Sequence, residues 1–176
     1  MKRSSVFILL FSCATRLFAQ DPEFPKEFIM HITLHNGMVT NFHNTSPDPY
    51  VGGIQLVPQY TFVPRLLRGG IIVDGFYTGK KLQAAFGPTV SLKLKTLKLG
   101  PLASAGNLHV SFDHLWGTEQ QRLVGGGIHA DALNWIVLGL TAHRDYNLNT
   151  WWFQAAIGIR ISKVKKEEED FNKKHK

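Results

Sequence analysis

Trp151-Trp152-Phe153-Gln154-Ala155-Ala156-Ile157-Gly158-Ile159-Arg160-Ile161 is the stretch whose reading decides the fold. Its odd positions are all apolar, while its even positions include Gln154, Gly158 and Arg160. That period of two belongs to a β-strand with two unlike faces, and a helix cannot present it. With an aromatic entry and an apolar face about ten residues long, the strand has the length needed to cross a bilayer as part of a closed barrel.

The same alternation recurs backwards along the chain. Residues 135–146 place Ile136, Leu138, Leu140 and Ala142 opposite Gly139, Thr141 and His143; residues 122–132 place Val124, Ile128 and Ala130 opposite Gly125, Gly127, His129 and Asp131. In 107–116, Leu108, Val110 and Phe112 oppose His109, Ser111 and Asp113. Residues 82–99 form a long strand interrupted at Gly87-Pro88, and its parity slips at Thr96-Leu97, which predicts a bulge. Residues 70–77 carry one charge, Asp74; in 51–63, Pro58 predicts a second bulge; and 28–42 set Met30, Ile32 and Leu34 against His31, Thr33 and His35. The segments between them are turn-forming: Asn44 to Pro49, Pro64 to Gly69, Gly79-Lys80, Gly100-Pro101, Gly117 to Gln120, and Asn147 to Asn149. Eight strands on short loops predict an all-β chain, folded as an eight-stranded antiparallel up-and-down transmembrane β-barrel.

Alternation alone does not say which face is outside. The apolar parity is built from full-sized aliphatic and aromatic residues, whereas the other mixes Gly125, Gly127, Gly139, Ala156 and Gly158 with charged and polar groups. Glycine facing a narrow lumen makes room for larger neighbours, and on a solvated exterior it would only weaken the strand. Tyr60, Phe62, Tyr77, Trp116, Trp135, Trp151 and Phe153 fall near strand ends, as interfacial aromatics of a membrane barrel do. The apolar face is therefore expected outside.

Residues 1–19 read as a signal peptide: Lys2 and Arg3 precede Val6 to Phe11, and Leu17-Phe18-Ala19 offers a cleavage site. An alternative has Cys13, the one cysteine, acylated in a lipoprotein-type signal. Residues 20–27 form an N-terminal lead, 28–162 the barrel, and 163–176 a charged tail without an apolar face. A cleaved chain would hold no thiol, which excludes a disulfide framework. Much of the basic excess lies in the signal and the mixed-sign tail, so no nucleic-acid partner is expected.

The chain resembles the small eight-stranded outer-membrane β-barrel proteins of Gram-negative bacteria. The resemblance rests on the signal, the strand count and the closing Ala156-Ile157-Gly158-Ile159-Arg160-Ile161, which is similar to their glycine-containing C-terminal strand. That family usually ends on a terminal Phe or Tyr, where this chain has Ile161 and then the tail. The resemblance implies an outer-membrane location, surrounding lipid as partner, periplasmic termini, and a tail available to a periplasmic or envelope protein.

Hairpin arithmetic about Ala103 sets Lys93 beside Asp113, and about Glu119 it sets His109 opposite His129. The expected lumen network is Asp74, Lys93, Lys95, His109, Asp113, His129, Asp131, His143 and Arg160, with Asp145 as a further counter-ion, because buried charges persist only when paired. An eight-stranded barrel is filled by its own side chains, so no open pore is expected. His109-Val110-Ser111 has some similarity to the His-x-Ser of the lipid A 3-O-deacylase family, which would make His109 a base and Ser111 a nucleophile. The Asn that follows in that family is Phe112 here.

These observations point to a structural or envelope-interaction role, with no cofactor, no metal and no assigned catalytic residues. A lipid-modifying hydrolase using His109 and Ser111 is one alternative, and a periplasmic barrel carrying an apolar ligand is another. Mass spectrometry of the exported protein should find Gln20 at its N-terminus; an acylated Cys13 there would establish the lipoprotein reading instead.

Overall fold

The computed structural model describes residues 28–42, 49–64, 66–97, 106–132 and 135–162. The expected signal peptide with Cys13, the lead, the charged tail, most of the Asn44 to Pro49 loop and Gly100-Pro101 lie outside them. Eight strands follow in order: β1 Phe28–Thr40, β2 Tyr50–Val63, β3 Leu67–Thr78, β4 Lys81–Leu97, β5 Gly106–Gly117, β6 Arg122–Ala132, β7 Ile136–Asp145 and β8 Thr150–Ser162. Each pairs antiparallel with its sequence neighbours, and β8 pairs with β1, closing the barrel.

The stagger follows from the pairing. Asn107 lies opposite Asp131, and the ladder then runs through Val137, Gly158, Thr33, Gln55, Asp74 and Ala85 to Gly117. One circuit thus returns to β5 ten residues further along. A stagger of this size requires strands tilted by about 35–45° around a lumen that one layer of side chains can fill.

Local sequence accounts for the turns and irregularities. Gly79 and Lys80 both have positive φ, 55° and 65°, the pair of values that a two-residue type I′ hairpin requires. The predicted bulge at Pro58 is absent. The β2–β3 ladder passes over Val57 and Pro58 and resumes in the same register at Gln59, because a missing N–H removes a bond without adding a residue. The bulge in β2 falls instead between Thr61 and Val63. β4 runs unbroken through Gly87-Pro88, and its register shifts between Lys93 and Lys95, not at Thr96-Leu97. β3 begins at Leu67 rather than Gly70, which puts Arg68 in the wall.

The exterior is apolar. Leu34, Ile54, Ile71, Phe112, Ile128, Leu140 and Ile157 are all more than half exposed. Among the described strand residues the outward series carries no acid, and its cations are confined to the ends: Lys95 near the terminal end, and Arg122 and Arg144 at the far end. Apart from Phe112 at mid-height, outward aromatics gather at the same two levels. Phe28, Tyr60, Phe62 and Trp135 ring the terminal end, and Tyr50, Tyr77, Phe86, Trp116, Trp151 and Phe153 ring the far end. From Tyr50 to Tyr60 the strand advances about 33 Å, and tilt reduces this to about 25 Å of height, the thickness of a membrane barrel's apolar band.

Inside, the two ends differ. At the far end Val39, Val51, Phe76, Ala85, Leu115, Leu123 and Trp152 form one buried apolar cluster. Phe76 meets Trp152 edge-on, with centroids 5.3 Å apart at 86°. Toward the terminal end the buried side chains are mostly polar and charged, with Ile29 and Val137 among them. Phe76→Ala should therefore cost about 3–5 kcal/mol. Denaturant titration of the folded barrel measures that loss, and an unchanged midpoint would show that the cluster does not hold the far end together.

Candidate functional site

The inward parity of the eight strands assembles a polar lumen, because each strand contributes every second side chain to it. At the terminal end Asp131 is fully buried, and Arg160 Nη1 donates to its Oδ2 across 2.7 Å. Arg68 Nη1 lies 3.8 Å from the same oxygen, and His31 Nε2 lies 3.8 Å from Oδ1. The pairing of His31 with Arg160 across β1–β8 brings both groups to this carboxylate. Three imidazoles line up beside it: His31 and His109 at 6.1 Å between centroids, and His109 and His129 at 5.2 Å.

Higher up, Asp113 accepts three hydrogen bonds: from Thr89 Oγ1 at 2.5 Å, from Ser111 Oγ at 3.0 Å and from His143 Nε2 at 3.3 Å. A second chain has one direction: Thr141 donates to Gln154, whose Nε2 donates to His35 Nδ1, while His35 Nε2 donates to Asp74 Oδ1 at 2.8 Å. A cavity of about 30 Å³ lies between these groups, bordered by Thr33, Gln59, His31, His109 and Ser111. That is room for ordered water and not for an open channel.

Most of the expected network faces this lumen. Asp74, His109, Asp113, Asp131, His143, Lys93 and Arg160 are buried, and His129 is half-buried opposite His109. Three expectations need correction. Lys93 is opposite His109, and Asp113 is opposite Thr89, because the β4–β5 hairpin is centred two residues earlier than Ala103 implies. Lys95 is exposed, carried out of the lumen by the bulge that separates it from Lys93. Asp145 is buried but caps the β7–β8 turn, its Oδ1 accepting from the backbone N–H groups of Arg122, Asn147 and Leu148.

Sequence reasoning missed Arg68, which it placed in a turn. The signal was present, since the inward parity of β3 read backwards from Asp74 through Ile72 and Gly70 reaches Arg68. It also missed the apolar far end. The expected interface aromatics Tyr60, Phe62, Tyr77, Trp116, Trp135 and Phe153 are outward and exposed, and Trp151 is partly covered.

The arrangement has little nucleophilic chemistry. Ser111 has one hydroxyl proton and donates it to Asp113, which can only accept, so His129 Nε2, 3.1 Å away, must donate to Ser111 rather than take its proton. A histidine in that role is not a general base. Among the described residues no group of three or more His, Cys, Asp or Glu is placed to hold a metal ion. No protein-family model matches the chain, and no curated protein matches it.

Removing the carboxylate that Arg160 and Arg68 share strands buried cations. Asp131→Ala should destabilise the barrel by about 3–5 kcal/mol in denaturant titration. Pairing it with Arg160→Met should recover part of that loss, and strictly additive effects would show that the two groups do not interact.

Proposed function

We propose that this chain is an outer-membrane β-barrel of the small Gram-negative type, with a structural or envelope-interaction role and a lumen closed by its own side chains. One observation carries the reading: the barrel is inside-out. Its exterior is an uncharged aliphatic wall between two aromatic rings, and its charged groups are enclosed. In water such a surface would be a large unpartnered apolar area, and hydrocarbon is the solvent that suits it. The termini would then lie on the periplasmic side, with the tail available to an envelope partner.

The alternatives have less support. A carrier of apolar ligands needs an apolar interior, and here the cavity is small and bordered by hydroxyl, amide and imidazole groups. A lipid-modifying hydrolase needs Ser111 beside a base and open to lipid, whereas it is 7% exposed and faces inward.

Fractionation should place the protein in the outer membrane, resistant to urea extraction, with a folded form that migrates differently from the boiled form. Leu140→Lys, at mid-height on the wall, should cost about 2–4 kcal/mol of folding into vesicles. Ser111→Ala should leave lipid A acylation unchanged. Recovery in the soluble periplasmic extract would overturn the membrane reading, and an altered lipid profile would restore the hydrolase.

A further inference from the structure

The exterior is uncharged except at its ends, and at the far end the cations stand in an arrangement of their own. Arg122 on β6 and Arg144 on β7 both point outward. Tyr146 N donates to Arg122 O at 3.2 Å, so Arg144, two residues before Tyr146, is the diagonal cross-strand neighbour of Arg122, about 7–8 Å away. Among the described residues no carboxylate forms an ion pair with either guanidinium. The nearby acids are committed elsewhere: Asp145 to its turn, and Glu119 to Lys81 at 3.4 Å.

Both arginines are set among aromatics. Arg122 is paired across the ladder with Trp116, and Arg144 lies 5.3 Å from the centre of the Trp151 ring while also donating to Asn149 Oδ1. Next to them the His114 ring lies tilted against Trp116, with centroids 4.5 Å apart, and bonds the Tyr146 hydroxyl at 3.2 Å. Immediately below, the wall is low. Gly126 is opposite Ala142, and Phe112 and Phe153 flank that pair in the same row, at 69% and 37% exposure.

We propose that this face binds one lipid that carries an anionic phosphate, in the leaflet at the far end of the barrel, and the proposal rests on the membrane reading above. The planar guanidinium forks match phosphate oxygens, and that of Arg144 is held in place by Trp151 and Asn149. Their position at the edge of an uncharged wall selects a phosphate attached to acyl chains. The low pair of Gly126 and Ala142 between the Phe112 and Phe153 ridges is the bed for one chain. The only described outward cation of the terminal end, Lys95, has no such setting.

The test uses the full chain folded in uncharged detergent micelles, titrated with bisphosphorylated lipid A and with its dephosphorylated form, with native mass spectrometry reading the adducts. The wild type should favour the phosphorylated lipid. R122Q/R144Q should weaken that binding about thirtyfold. R122K/R144K should fall between, since it keeps the charge and loses the fork, and K95Q should bind as the wild type does. Equal binding of both lipids, an unchanged R122Q/R144Q titration, or displacement of the lipid by an equal concentration of inorganic phosphate would each overturn the proposal. Insertion of the same preparation into phosphatidylcholine vesicles separates the two readings. A barrel that inserts but shows no phosphate preference removes this site alone, and one that does not insert removes the membrane reading and this site with it.

Discussion

Closure of β8 onto β1 is the constraint on which the rest depends. A closed ladder has no edge strand, so no row of backbone groups is left open along the wall to be met by water. Only then can one parity be apolar between its ends and the other enclose charge. The ten-residue stagger sets the width of that enclosure to a single layer of side chains. Asp131, Arg160, Arg68 and His31 therefore meet one another instead of solvent.

Two different solutions fill the cylinder. Near the termini the charges compensate one another around Asp131, and at the far end Phe76, Trp152, Leu115 and Leu123 exclude water by packing. Hydrogen bonds through Asp113 and Asp74 occupy the levels between them. The polar layers give direction and partner choice to each side chain, while the apolar layer asks only for volume and shape. A barrel held in both ways resists opening from either end for unrelated physical reasons.

Much of this was legible in the residues. Period-two alternation placed the strands within a few positions, and the glycine-rich parity of β6 to β8 identified the inner face. The register of β4 against β5 is centred at Pro101, so Gly100-Pro101 marks it and the midpoint Ala103 does not, while the bulge that moves Lys95 to the outside has no signal in the alternation. The apolar far end was missed for another reason. There the alternation gives way to doublets such as Tyr50-Val51, Phe76-Tyr77, Leu115-Trp116 and Trp151-Trp152, in which one member faces outward and the other inward. Read strand by strand these look like noise; taken together, at one height, they mark a layer. Arg68 escaped because the strand begins at Leu67 and runs through Gly69, inside the Pro64 to Gly69 segment that reads as a turn in isolation.

Pro58 and Pro88 both fall opposite Ile71 in the register, one on β2 and the other on β4. The β2–β3 ladder skips Val57 and Pro58, and the β4–β5 ladder skips Gly87 and Pro88. Half-way up the wall, then, two seams run beside the same short span with fewer crosslinks than anywhere else among the described strands. A tube stitched in this way is stiff at its rims and compliant at its waist on one side only, so a squeeze from the surrounding medium would be taken up by β3 and its neighbours, leaving the β6–β8 side unmoved.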